Sequence, residues 1–199
     1  MKHDGKPGCV VLAAGSARRF GGNKLAATVE GAALIRRALS AVPAERFSRV
    51  AVVTQYPEIL ALARDFSFTP VLNSAPEAGV SRSIALGLAA IGDCPGALFL
   101  VADQPLLRRE SVDALVTLWQ GKPEGIAALS HGGVRGNPCL FPSRLFPELL
   151  ALQGDRGGSA VIRRHEGLLS LLEVDARELR DADTPEALAA IRAEAAGEN

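Results

Sequence analysis

Between Gly15 and Lys24, ten residues carry three glycines (Gly15, Gly21, Gly22) and three cations (Arg18, Arg19, Lys24). Glycine lets a backbone come close to an anion, arginine grips phosphate oxygens through a planar fork, and lysine acts as a point charge. Together they suit a triphosphate. Neither common phosphate loop matches, because a dinucleotide fingerprint spaces its glycines one, three and six, and a P-loop puts Lys directly after its last glycine. Here Gly15 and Gly21 are six apart and Lys24 lies two residues beyond Gly22. The alternative reading is a solvated surface loop with ordinary charges. A triphosphate calls for a hard cation such as Mg2+, which takes oxygen ligands. Asp103, at the end of the apolar run 97–102, is placed to hold one, or else caps a following helix. Asp181 and Asp183 offer a second carboxylate contact, although Asp183-Thr184-Pro185-Glu186 also reads as a helix start.

Such residues need a scaffold. Apolar runs of strand length alternate with segments of helical period, the pattern of βαβ units. Strands are expected at 8–14, 50–54, 69–72, 97–102, 126–129, 138–141 and 171–174. Helices are expected around 34–42, 59–66, 84–91, 112–119, 145–152, 159–164 and 185–195, with Ser81 or Ser83 as the cap of the third and a loop at 131–137. The fold expected is a three-layer α/β/α, Rossmann-like domain with a mostly parallel sheet, one domain over residues 1–199 with a core at about 8–192. In such sheets ligands bind at the carboxyl ends of strands, where the loop after Ala14 and Asp103-Gln104-Pro105 both fall.

The 22 basic residues balance the 22 acidic ones, which argues against a nucleic-acid binder with a basic face or a charged disordered tail. No apolar stretch approaches the roughly 20 residues that cross a membrane, and the apolar run after the basic N-terminus stops at Gly15, too early for a signal peptide. A cytoplasmic location is expected. Cys9, Cys94 and Cys139 are odd in number and widely spaced, hence read as reduced, buried small hydrophobes. His3, His131 and His165 show no ligand spacing and read as surface or loop residues.

The pattern Leu-x-Ala-Gly followed by Arg-x-Gly-x-x-Lys resembles the signature loop of nucleotidyltransferases of the glycosyltransferase-A type, with Ala14-Gly15, Arg19, Gly21 and Lys24 on its positions. Within that superfamily, whose fold is the nucleotide-diphospho-sugar transferase type, the chain is most similar to the molybdenum cofactor cytidylyltransferase group. Asn73 to Ser83, Asp103-Gln104-Pro105, Gly136-Asn137-Pro138, Gly154-Asp155 and Asp181 to Pro185 stand in the family's order, over roughly residues 8 to 192. The resemblance implies transfer of CMP from CTP to the phosphate of molybdenum-loaded molybdopterin, with pyrophosphate released. It implies Arg19, Lys24 and Asp103 as catalytic residues. Ala13, Ala14, Gly15, Arg19, Lys24, Asn73, Gly79, Ser81 and Ser83 would bind nucleotide. Gln104, Asn137 and Asp155 would face the acceptor, and Asp103, Asp181 and Asp183 the metal, Mg2+.

Leu12-Ala13-Ala14-Gly15 resembles the cytidylyltransferase form of the loop, whereas guanylyltransferases typically read Leu-Ala-Gly-Gly. The methyl of Ala14 would narrow the base pocket. The chain departs from the family at Asn137, where His is usual, at Arg82 and Ala102, and at Ser159, where an arginine is common. Two other readings stay open: a nucleotidyltransferase acting on a sugar or polyol phosphate, and a non-catalytic carrier delivering the cofactor to a molybdenum hydroxylase apo-enzyme.

Overall fold

A strand covered on both faces needs apolar side chains at consecutive positions, and the longest apolar runs of this chain become such strands. The computed structural model describes residues 5–15 and 23–196. Its strands are β1 (Gly8–Ala13), β2 (Thr28–Val29), β3 (Ala32–Ala33), β4 (Val50–Thr54), β5 (Thr69–Leu72), β6 (Gly96–Val101), β7 (Ile126–His131), β8 (Val134–Pro142) and β9 (Leu169–Glu173). Its helices are α1 (Leu34–Ser40), α2 (Pro57–Asp65), α3 (Val80–Ile91), α4 (Arg109–Gln120), α5 (Phe146–Leu150), α6 (Ser159–Arg164) and α7 (Pro185–Ala196).

Seven strands form one sheet in the order β5-β4-β1-β6-β8-β7-β9, while β2 and β3 pair separately. β8 runs antiparallel to β6 and β7, and the other pairings in the large sheet are parallel. The chain winds outward from β1 through β4 to β5 and then returns to place β6 on the other side of β1. The carboxyl ends of β1 and β6 therefore flank the point where strand order reverses, the place where open α/β sheets bind ligands. Alternation along the strands divides the core. Val11, Leu98, Leu100 and Leu140 pack with residues of α1, α2, α4 and α7 on one face. Val10, Phe99, Cys139 and Phe141 pack with α3, α5 and α6 on the other. Helices thus cover both faces, and no helix among the described residues is long and apolar enough to cross a membrane.

Three local expectations need correction. Neither Ser81 nor Ser83 caps α3: the helix begins at Val80, Gly79 is its cap residue, and both serines lie inside the first turn. The expected loop 131–137 is a hairpin, with His131 paired to Val134 and Gly132 and Gly133 both at positive φ. That two-residue turn requires left-handed backbone, which glycine supplies without strain. The Gly-Asn-Pro sequence inside β8 had the composition of a turn and hid the strand. The helix expected at 145–152 is a short helix at Phe146–Leu150 preceded by a single 3-10 turn, Ser143–Leu145.

Candidate active site at the carboxyl ends of β1 and β6

The loop leaving β1 is tied down by its neighbour. Thr54 Oγ1 donates to the Ala13 carbonyl at 3.0 Å, Gln55 Nε2 to the Ala14 carbonyl at 2.9 Å and the Tyr56 hydroxyl to the Gly15 carbonyl at 3.4 Å. Three consecutive carbonyls are thus held by three consecutive side chains at the end of β4. Arg18, Arg19, Gly21 and Gly22 lie outside the described residues, as does His3. The Asn23 side chain accepts from the Leu25 N–H at 3.1 Å and donates to Glu58 of α2 at 2.8 Å, anchoring the turn that carries Lys24.

Lys24 reaches across the crevice. Its ammonium donates to Asp103 Oδ2 and to Asp183 Oδ1, each at 2.7 Å. Asp103 follows β6 and caps no helix: α4 starts at Arg109, and the Arg108 N–H donates instead to the buried Glu178 carboxylate at 3.0 Å. Its main chain performs a second task, because the Asp103 carbonyl accepts from the Ala182 N–H at 2.8 Å and draws Asp181-Ala182-Asp183 to the end of β6. The cap of α7 is Thr184, whose hydroxyl accepts from the Ala187 N–H at 3.1 Å, which leaves the Asp183 side chain free to meet Lys24.

The charges perturb one another. Burial pulls the Lys24 ammonium pKa down, but Asp103 and Asp183 together outweigh it and the net shift is upward, so the group stays charged at neutral pH. Protein mass behind Asp181 desolvates its carboxyl although one side is open to solvent. With repulsion from Asp103 and Asp183 added, its pKa is pushed up to about 6. Perturbed groups gathered in a cleft are characteristic of functional sites.

These elements enclose a cavity of about 320 Å3 whose wall includes Ala13, Ala14, Gly15, Lys24, Asp103 and Asp183, together with Gly79, Ser83 and Asp155. Gly79 sits at φ +88°, and a Cβ there would lie 2.2 Å from the carbonyl carbon of Gly154. The glycine therefore allows the start of α3 and the 154–155 backbone to close on each other, and the Ser81 N–H donates to the Gly154 carbonyl at 3.1 Å. Not every expected site residue faces this cavity. Asn73 is fully buried behind it, donating to Ser83 Oγ at 3.1 Å and accepting from Arg82 Nε and the Ala75 N–H. Its amide is consumed by the framework. Ser81 is also outside the lining. Gln104 is buried, with Nε2 donating to the Leu179 carbonyl at 3.2 Å. Asn137 faces a neighbouring cavity beside Arg135, and Asp181 stands behind Asp103 and Asp183. Residues that the sequence did not single out include Leu25, Pro76, Val80 and Val101 in the lining and the Thr54-Gln55-Tyr56 clamp. The clamp could have been suspected only from three hydrogen-bonding side chains following a strand adjacent to β1.

Cys9 and Cys94 are away from this cavity, and Cys139 lines the neighbouring one. All three are unpaired and buried, and burial raises each thiol pKa. His131 is exposed, and His165 rests against Glu148 with Nε2 2.6 Å from Oε1.

A family model described as the MobA-like NTP transferase domain matches residues 9–168. The purine catabolism protein PucB of Bacillus subtilis is 33% identical over 191 residues, spanning 89% of this chain and 91% of its own. A protein of Nostoc sp. named "Probable molybdenum cofactor guanylyltransferase" is 30% identical over 194 residues, spanning 93% and 90%. The solved structure of a nucleotidyl transferase from Methanothermobacter thermautotroptrophicus (Mth528) superposes with a TM-score of 0.81 at 19% identity, covering 98% of this chain and 99% of that one, a likeness of fold. The chain belongs to the MobA-like NTP transferase family and is a nucleotidyltransferase.

Proposed function

We propose that this nucleotidyltransferase moves CMP from CTP to the terminal phosphate of molybdenum-loaded molybdopterin, with pyrophosphate leaving. The observation that carries the reading is one cavity of about 320 Å3 lined jointly by Ala14, Gly15, Lys24 and Asp103. That volume, with the buried Ala14 methyl already in its wall, is near the lower end of small-ligand sites, roughly 300–1,000 Å3, which favours a pyrimidine over a purine. The Nostoc relative, whose name contains the molybdenum cofactor, supports the acceptor class. The preference for cytidine rests on Ala14. Delivery of the product to a molybdenum hydroxylase apo-enzyme belongs to the same reading.

The reaction needs no protein nucleophile. A phosphate oxygen of the acceptor attacks the α-phosphorus in line, and the bond to pyrophosphate breaks on the opposite side. In this reading Lys24 and Arg19 stabilise the charge that gathers on the phosphate oxygens. Ser83 and the Gly79–Val80 backbone contact base and ribose, with Asn73 bracing Ser83 from behind. Asn137 and Asp155 face the acceptor, and Gln104 supports Asp181. Asp103, with Asp181 and Asp183, would hold magnesium: the donors are all carboxylate oxygens, which suit a hard cation, and a cation relieves the repulsion among them. Among the described residues no three His, Cys, Asp or Glu side chains form a metal-holding group by themselves, so these carboxylates would hold the ion together with oxygens of the bound substrate. When bound, the ion neutralises phosphate charge and eases departure of pyrophosphate.

Pyrophosphate release tests the reading. With magnesium CTP and molybdenum-loaded molybdopterin the wild-type protein should release it, Asp103→Ala should not, and a panel of sugar phosphates should be poor acceptors. Release with a sugar phosphate but none with molybdopterin would refute the acceptor.

A further inference from the structure

Along β8, Arg135, Asn137, Cys139 and Phe141 alternate with Gly136, Pro138 and Leu140. The pairing of β8 with β7 shifts register between Cys139 and Arg135, but Cys139 and Phe141 pack on the face covered by α3, α5 and α6, and Arg135 and Asn137 line the same cavity as they do. Cys139 and Phe141 are core residues there, whereas Arg135 and Asn137 continue the same row past the covered part of the sheet. The row lines a second cavity of about 140 Å3, walled also by Phe99, Leu149 and Ser159. Leu12, Val80 and Val101 line both this cavity and the nucleotide cavity, so the two are neighbours across a shared apolar wall.

The cation in this slot is unusual for what it lacks. Arg135 is half-buried, and the protein partners of its guanidinium are neutral: Nη2 donates to Ser159 Oγ at 2.8 Å and Nη1 to Cys139 Sγ at 3.5 Å. A guanidinium has five N–H donors, so most remain available, and no carboxylate pairs with Arg135 among the described residues. A buried or half-buried cation without a counter-charge is costly unless a ligand supplies acceptors. The other walls are flat and apolar, with Phe99 and Phe141 in an edge-on pair at 5.9 Å between ring centroids. A volume well below the roughly 300 Å3 of a whole-ligand site suits one ring system of a larger molecule.

We infer that this slot is the acceptor subsite: it takes the flat heterocycle of the phosphorylated acceptor, and Arg135, steadied by Ser159, grips the oxygen- and nitrogen-bearing edge of that ring. The arginine fork donates to a carbonyl oxygen on a purine-like edge, and a pterin presents a carbonyl oxygen at the corresponding place. The acceptor's phosphate then lies toward Lys24 and Asp103, past Leu12 and Val101. The inference rests on the acceptor class proposed above, and its test separates the two.

The probe is neopterin monophosphate, followed by its own fluorescence in the full-length protein with magnesium CTP present. Arg135→Met should weaken binding at least tenfold, Arg135→Lys should restore part of it, and Ser159→Ala, at an exposed position, should weaken it a few-fold. CTP affinity and melting temperature should stay at wild-type values in all three. Equal binding of the pterin phosphate by wild type and Arg135→Met overturns the slot and leaves the molybdopterin reading standing. Arg135-dependent binding of a sugar phosphate with none of the pterin keeps Arg135 as the acceptor residue and overturns the heterocycle assigned to it, together with the molybdopterin reading. Binding of neither phosphate, or parallel loss of CTP affinity in Ser159→Ala and Arg135→Lys, overturns the subsite.

Discussion

The Lys24 ammonium and the Asp103 carboxylate, 79 positions apart in the chain, meet at 2.7 Å at the carboxyl end of β6. Asp183 shares the same ammonium at the same distance, so one cation holds together three segments that line the cavity. Replacing Lys24 by Ala removes the charge that a triphosphate would meet and leaves two carboxylates facing each other. A well-aimed electrostatic contact of this kind contributes about 3 kcal/mol to the transition state, or about a hundredfold in rate. Turnover of Lys24→Ala should fall by at least that factor in a steady-state pyrophosphate assay while circular dichroism stays native. Turnover within twofold of wild type would remove Lys24 from the mechanism.

Ala14 is buried in the cavity wall at 5% exposure, and its methyl is the feature assigned to base choice. One methyl's worth of space is worth roughly 1–3 kcal/mol in discrimination. Ala14→Gly should therefore erode the preference for CTP over GTP by about tenfold or more in competition binding. An unchanged ratio would place base selection elsewhere.

Gly79 combines positive φ with a backbone contact that leaves no room for a Cβ. Gly79→Ala should cost roughly 2 kcal/mol or more in unfolding free energy, from left-handed strain plus displacement of the 154–155 backbone. CTP affinity should drop in the same variant, because both segments line the cavity. A denaturant midpoint equal to wild type would show that the two backbones can part without penalty.

Glu148 of α5 ties down the end of α6, accepting from Arg164 Nε at 2.9 Å and standing 2.6 Å from His165 Nε2. Arg164 and then His165 hold its carboxyl below the ordinary value of 4.5. A depressed acid stabilises the fold above its unfolded pKa, and that contribution fades as pH falls through the folded pKa. Glu148→Gln should cost about 0.5 kcal/mol at pH 7, in line with a solvent-screened pair, and the difference from wild type should shrink toward pH 3.5 in denaturant titrations. A gap that widens on acidification would reverse the assignment.

Much of the scaffold could be read from hydrophobic periodicity, since β1, β4, β6 and α4 declare themselves by runs of apolar residues or by a 3.6-residue period. Lys24 and Asp103 were legible for a different reason: Asp103 closely follows the buried strand β6 and Lys24 ends the glycine- and arginine-rich loop that follows β1, both at the ligand-binding edge of a parallel sheet. What stayed hidden depended on contacts between distant segments. Nothing local to Asn73 signals that its amide is spent on Ser83 and Arg82. The Thr54-Gln55-Tyr56 clamp requires knowing that β4 lies beside β1. Arg135 was masked by its neighbours, because Gly136-Asn137-Pro138 has turn composition while the backbone there is a strand of shifted register that brings Arg135 and Asn137 to one slot.

Equimolar magnesium CTP and GTP, offered to the protein with molybdenum-loaded molybdopterin, let the two nucleotides compete, and mass spectrometry of the dinucleotide formed identifies the one transferred. The cytosine dinucleotide should predominate, with one pyrophosphate released for each product. A guanine dinucleotide as the main product, or hydrolysis of nucleotide with no dinucleotide at all, would contradict CMP transfer to molybdopterin.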